Sequence, residues 1–394
     1  MSGRLLRLVC TAAIAAGAVL VPAPVPVSAS AAPGPDESRS PAAERPAAER
    51  PAAERPVAEL LTDLQRLYRE AEKATETYNA TEERLQRQRA EVAKLNGRLT
   101  AARLALHGSR GAAGRLARQQ YQGTSEISSY VRLLLARDPQ HALDQGHVIR
   151  QVSQERAGTM ERLAGNERRT DELARRARTA LDGRLALAEK QKKDRDLVRE
   201  RLRDVEELLA SLTEEQLSRV AELERAGVAK AQDELVASGA LSSTRRPTAE
   251  GGEALRYAVA QIGKPYQWGA EGPGSYDCSG LTSQAWADAG RPIPRTSQEQ
   301  WATLPRVPLP DLRPGDLVVY FPEATHVAMY LDDGLVVQAP RPGARIKVSP
   351  IAANPILGAV RPDPSAEPLR RYTPPKLPEN AMDGSDEGYR ADTR

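Results

Sequence analysis

The chain has 394 residues, enough on length alone for about two or three domains. Its 56 Lys and Arg against 53 Asp and Glu leave a net charge of +3, which excludes the concentrated basic field that a nucleic-acid binder needs. Nine of the fifteen Phe, Trp and Tyr residues lie between Tyr257 and Tyr330, and of 30 prolines only Pro139 lies between Val57 and Arg246, so a long helical stretch beside a compact globule is expected, not one large globular enzyme.

Residues 1–31 read as a secretory signal. Arg4 and Arg7 supply the positive start, Val9 to Val21 a short apolar run, and Ala29-Ser30-Ala31 a small-residue cleavage site. The apolar run falls short of the ~20 residues that span a bilayer, and Pro22, Pro24 and Pro26 follow it. The expected location is therefore secreted, in the cell envelope or outside it. Cys10 leaves with the signal, and Cys278 remains as the mature chain's single cysteine, so no internal disulfide framework is expected. Residues 32–56 carry three Pro-Ala-Ala-Glu-Arg repeats. Proline at every fifth position forbids a continuous helix and gives an extended tether.

Residues 57–238 read as a helical hairpin. Leu60, Leu64, Leu67, Ala71, Ala74 and Tyr78 follow alternating spacings of four and three. The register continues through Leu85, Val92, Leu95, Leu99, Ala102 and Leu106, with Thr81 and Gln88 as polar seam positions. Gly108, Gly111 and Gly114 are expected to weaken the helix. Asp138 and Pro139 form an N-cap and first-turn pair for a second helix, expected to run unbroken from about Gln140 to Val236. The two segments most simply fold back as an antiparallel coiled coil. Between them, Ile127, Tyr130, Val131, Leu134 and Leu135 are apolar over much of a helix circumference. They either pack on the hairpin tip or dock another protein. His141 and His147, six residues apart, do not share a helical face, so they suggest no metal site. Residues 239–251 read as a linker.

Residues 252–362 have α+β patterning. Helices are expected at Glu253–Ile262 and Cys278–Ala289, the second capped by Asp277, with a short third after a capping box at Thr296-Ser297-Gln298-Glu299. Strands are expected at Asp316–Phe321, His326–Leu331, Leu335–Gln338, Arg345–Ser349 and Leu357–Arg361, so the class is helices first, then a mostly antiparallel sheet. Residues 363–394, rich in proline and charge, are expected to be disordered.

Cys278 thus opens a helix, where backbone N–H groups lower a thiol's pKa. His326 is the domain's one histidine, at a strand start. A Cys–His pair is the minimum for thiolate catalysis, and the imidazole needs an acceptor on its other nitrogen. A tight turn at Asp332–Gly334 would bring Gln338 opposite His326 and make its amide oxygen that acceptor. One Cys and one His make no zinc site, and no cofactor is expected.

The surrounding motifs extend this reading. Taken in order, Gly263-Lys264-Pro265-Tyr266-Gln267-Trp268-Gly269, Tyr276-Asp277-Cys278-Ser279-Gly280, Pro294-Arg295-Thr296-Ser297, Arg313-Pro314-Gly315-Asp316 and His326-Val327-Ala328 resemble the NlpC-type bacterial cell-wall cysteine peptidases, a papain-like family. The resemblance covers about residues 252 to 362. It implies Cys278 as nucleophile, His326 as base and Gln338 as the third polar residue, where the family often has histidine. Tyr266, and the backbone at Cys278 or Ser279, are implied in substrate or oxyanion contacts, beside Asp277. The implied reaction is hydrolysis of the amide between D-glutamate and the diamino acid of peptidoglycan stem peptides. A long coil before such a domain resembles division-associated wall hydrolases. That layout implies a coil that restrains the enzyme and a tip, here Tyr121 to Gln145, that docks on a membrane protein of the FtsX type. Two other readings use the same residues: a non-catalytic wall-binding adaptor, and an amidase or acyltransferase built on the Cys–His pair.

Overall fold

A computed structural model describes residues 55–122, 131, 138–241 and 245–382. The expected signal, nearly all of the tether, and Ile127, Tyr130, Leu134 and Leu135 lie outside these residues; Val131 is helical and exposed. Among the described residues, no helix is long and apolar enough to cross a membrane.

The heptad run becomes α1 (Val57–Gln122), about 100 Å long at 1.5 Å per residue. It passes straight through Gly108, Gly111 and Gly114, contrary to the expected weakening. The three glycines cost backbone entropy but meet no packing demand there, and the long helix absorbs them. Asp138 caps α2 (Pro139–Ala210) by accepting a hydrogen bond from the Gln140 amide, with Pro139 in the first turn as expected. Contacts between α1 and α2 run in opposite directions: Ser109 with Asn166, Gln88 with Ala180, Thr81 with Asp194. The pair is therefore antiparallel. Val92, Leu95 and Leu99 close on Ala177 and Ala180 in the middle of the seam.

The second helix does not continue to Val236. It stops at Ala210, and α3 (Glu214–Ala237) starts after a full capping box in which Thr213 and Gln216 exchange side-chain and backbone bonds. That box satisfies the orphan amides of a new helix start, so the chain turns where an unbroken helix was expected. As a result, α3 folds back over the start of α1. Leu60 and Leu64 bury against Val205, Leu209, Val220 and Ala221.

The C-terminal region contains α4 (Ala249–Ala260), α5 (Cys278–Asp288), α6 (Ser297–Thr303) and strands β1 (Arg306–Val307), β2 (Leu317–Tyr320), β3 (His326–Asp332), β4 (Leu335–Gln338), β5 (Lys347–Pro350) and β6 (Ile356–Val360). They form one antiparallel sheet in the order β1-β6-β2-β3-β4-β5. One face presents Leu317, Val319, Val327, Met329 and Val337 to α4 and α5, whose Leu255, Leu281 and Trp286 complete the core. The other face presents Val318, Tyr320, Ala328, Tyr330 and Val336, and Leu235 of α3 packs against that layer. Both faces are covered, so the central strands β2 and β3 are buried along nearly their whole length.

Disorder is not what residues 363–382 show. Asp363 bonds Thr248 and pairs with buried Arg313 at 2.8 Å. The Leu369 amide reaches the Pro247 carbonyl, and Leu377 and Ala381 join the main core. The Val348 amide donates to the Ala381 carbonyl at 2.8 Å, which covers part of the β5 edge. Proline and charge suppress secondary structure here without preventing docking through side chains and single backbone bonds.

Candidate active site

Asp277 caps α5 from a fully buried position, its Oδ1 accepting the Gly280 amide at 2.6 Å. Cys278 is therefore the first helical residue, with the free amides of the first turn around it. Arg295 grips both oxygens of Asp277, at 3.0 and 2.7 Å, and also donates to Ser279 Oγ at 2.9 Å and Glu271 at 2.8 Å. The Gly269 amide donates to the second Asp277 oxygen at 2.8 Å. One carboxylate thus fastens three segments: the loop carrying Tyr266 and Trp268, the start of α5, and the loop before α6. Gly280 is obligatory here, because a Cβ would stand 2.2 Å from the Ala270 carbonyl oxygen.

His326 starts β3, and its Nε2 lies 2.7 Å from Gln338 Oε1. The sequence expectation of this pair holds, with one difference. A bulge after Tyr330 shifts the β3–β4 register so that Met329 faces Val337, and Gln338 reaches His326 diagonally. With Nε2 donating to Gln338, Nδ1 is the acceptor nitrogen. Tyr320, the register partner of His326 on β2, lays its ring 5.6 Å from the imidazole. Tyr266 is buried near Cys278. Burial first, and then the neighbouring Cys278 and acidic groups, push its phenol well up.

Two of the closest groups to this site come from α1, and no sequence signal marked them. Glu76 Oε1 accepts the Ser279 hydroxyl at 2.6 Å and lies 3.8 Å from Cys278 Sγ, while Oε2 accepts the Ser297 amide at 2.9 Å. One turn earlier, Glu72 Oε1 lies 3.5 Å from His326 Nδ1. Asn79 donates to Asp277 at 3.1 Å, and Tyr78 meets Trp268 edge-on at 5.1 Å. Cys278 is 2% exposed and His326 fully buried. Tyr68, Glu72, Thr75, Glu76 and Asn79 form a second buried stripe on α1 beside the heptad seam. The stripe is mostly polar: its partners are the polar groups of the cleft, and hydrophobic periodicity does not report such contacts.

The electrostatics follow from this closure. Burial, then Glu76, Asp277 and Glu72, push the Cys278 thiol well up, the reverse of the expected helix-terminus lowering. The Ser279 amide works the other way but is outweighed. Burial lowers His326 to about 4, so the imidazole is neutral at pH 7. As folded, Cys278 is a thiol and His326 a neutral imidazole, not a thiolate and an imidazolium. Among the described residues, no three His, Cys, Asp or Glu are grouped to hold a metal ion.

Residues 263–358 match the NlpC/P60 family. This region is an NlpC/P60 domain. Over 116 residues the chain is 42% identical to a probable endopeptidase of Corynebacterium glutamicum, covering 29% of this chain and 56% of that protein. Over 126 residues it is 37% identical to the peptidoglycan endopeptidase RipA of Mycolicibacterium smegmatis, covering 27% of this chain and 25% of RipA. These matches span about half or less of the relatives' own lengths. Among solved structures, the NlpC/p60 domain of peptidoglycan hydrolase SagA is 30% identical, covering 28% of this chain and 97% of that one, with a TM-score of 0.27.

Proposed function

We propose that this protein is a thiol-dependent peptidoglycan endopeptidase that is held inactive by its own coiled coil. The observation that carries the reading is the Cys278 and His326–Gln338 arrangement at a helix start and a strand start, with α1 laid across it. The names of the relatives support the substrate class.

With the cleft open, Cys278 loses two carboxylate neighbours and much of its desolvation, so the first-turn amides can favour the thiolate. His326 Nδ1 takes the thiol proton and later protonates the leaving amine, while Gln338 fixes the tautomer through Nε2. Gln338 carries no charge, so it orients the imidazole without stabilising an imidazolium by Coulomb attraction. The amides at Cys278 or Ser279, with Tyr266, receive the oxyanion. Water then hydrolyses the thioester. The scissile bond on this reading is the D-glutamyl–diamino acid amide of stem peptides, supported by the motif resemblance. Secretion to the envelope follows from the N-terminal signal pattern. A membrane partner of the FtsX type at the hairpin tip would draw α1 out of the cleft and link activity to wall remodelling or daughter-cell separation.

The test uses the full chain with Glu76→Arg, which sets a second guanidinium against Arg295 and unseats α1. Incubated with purified peptidoglycan, this variant should release new amino termini, and mass spectrometry should place the cut between glutamate and the diamino acid. Addition of Cys278→Ala should abolish release. Equal release with Cys278→Ala would refute the thiol mechanism. Binding to the wall without any products would identify an adaptor, and fragments cut at the lactyl end would identify an amidase.

A further inference from the structure

We propose that seating α1 in the cleft takes up protons, so that Glu72 and Glu76 form a latch that loosens as pH rises. The inference rests on the closed reading above and adds what controls it.

The geometry is a surplus of buried acid. Glu72 and Glu76 stand one turn apart on one face of α1, both buried, and fully buried Asp277 lies beside Glu76 across the interface. The cations that face them are already engaged. Arg295 holds Asp277 with two bonds and Glu271 with a third. Arg341, on the loop after β4, makes a bidentate pair with Glu224 of α3 at 2.8 and 3.1 Å and lies over the Tyr68 ring. Arg69, on α1 itself, is exposed. The remaining neighbours are Cys278 on α5, His326 on β3 and Tyr266 on its loop, and none of them is a cation in the closed form. Glu72 Oε2 has no hydrogen-bond partner, and neither has His326 Nδ1. An ionised carboxylate left so would bear an uncompensated desolvation cost.

The sign is fixed by counting protons. Burial and then Glu76 hold Glu72 well above the ordinary carboxylate range; burial and then Asp277 hold Glu76 at about 7. In the open form both carboxyls meet water and return to about 4.3. A group raised in the closed form stabilises it fully below the open-form pKa and loses that effect as pH rises through the closed-form value. His326 opposes this: its lowered value means that opening lets the imidazole bind a proton below about 6.5. Between about 4.5 and 6.5, opening therefore releases two protons from the glutamates and takes up one at His326. Above that window His326 no longer opposes, Glu76 still gives up its proton until its closed-form value of about 7, and the raised Glu72 carboxyl and Cys278 thiol act in the same direction. Opening releases protons throughout, so the closed fraction falls as pH rises.

The experiment measures how well the full chain protects Cys278 from iodoacetamide. The labelled peptide is quantified by mass spectrometry, and the rate in urea at the same pH is divided by the native rate. That ratio removes the thiol's own ionisation. The wild-type ratio should fall at least tenfold from pH 6 to pH 8. In the double variant Glu72→Gln, Glu76→Gln that fall should be absent: the ratio should stay level if the amides leave the coil open, or rise by about a few-fold with pH through His326 alone if they leave it closed. A flat wild-type profile with strong protection overturns the latch but leaves the occluding coil standing. A variant that falls in parallel with wild type also overturns it. Absence of protection in the wild type at every pH would instead remove the closed reading itself.

Discussion

At the scale of single residues, the site depends on one buried carboxylate and one amide. Asp277 is ion-paired, capping and buried at once, so removing its partner is costly. Arg295→Met should destabilise the domain by about 3–5 kcal/mol, because an unpaired charge stays buried. Urea unfolding followed at 280 nm excitation would measure it. Gln338→Ala leaves Cys278 and His326 in place but frees the imidazole to rotate. In the Glu76→Arg background it should lower kcat/KM by about 10–100-fold, since orientation supports general acid–base transfer. Stability should change far less. The helix-start position of Cys278 and the His326–Gln338 pair were legible in the sequence, because helix-start, strand-start and turn chemistry are local. The bulge after Tyr330 was not, since it arises from pairing of the whole β3–β4 ladder.

At the scale of elements, α1 carries two codes on one helix. The apolar seam against α2 follows hydrophobic spacing and was readable from Leu60 to Leu106. The stripe from Tyr68 to Asn79 recognises the cleft with carboxylates and an amide, which any reading of exposed coil surfaces assigns to solvent. The break before α3 was readable in principle: Thr213 followed by Gln216 is a capping box, and the leucine spacing on either side masked it. That break matters for control. It lets α3 clasp the domain through Glu224–Arg341 and through Gln232, which bonds Gly334 and Ala352. Arg341→Ala removes a half-buried bidentate pair and a cation–π contact with Tyr68. Loss of about 1–2 kcal/mol should raise the open fraction by about 5–30-fold. Faster iodoacetamide labelling of Cys278 at pH 7 would report it, and an unchanged rate would show that the clasp does not hold the coil.

At the scale of the whole molecule, the uneven composition maps onto structure in two ways. The stretch whose one proline is Pro139 became the hairpin, and the aromatic cluster became the domain core. In the C-terminal segment, prolines and charges forbid regular elements and so suggest disorder, yet Asp363 satisfies buried Arg313 and Ala381 pairs with β5. Deleting residues 363–394 should therefore lower the denaturation midpoint of the domain, with buried Arg313 left without its Asp363 partner. An unshifted urea midpoint would show that the strap is passive.

One helix of the coil, α1, lies across the Cys278 site and, on the proposed function, holds it closed. The most direct measurement compares peptidoglycan digestion by the full-length wild type with digestion by Glu76→Arg, each beside its Cys278→Ala counterpart, under one buffer and pH. The account predicts at least tenfold faster release of amino termini from Glu76→Arg than from wild type, and none from either Cys278→Ala protein. Equal rates in wild type and Glu76→Arg would contradict it.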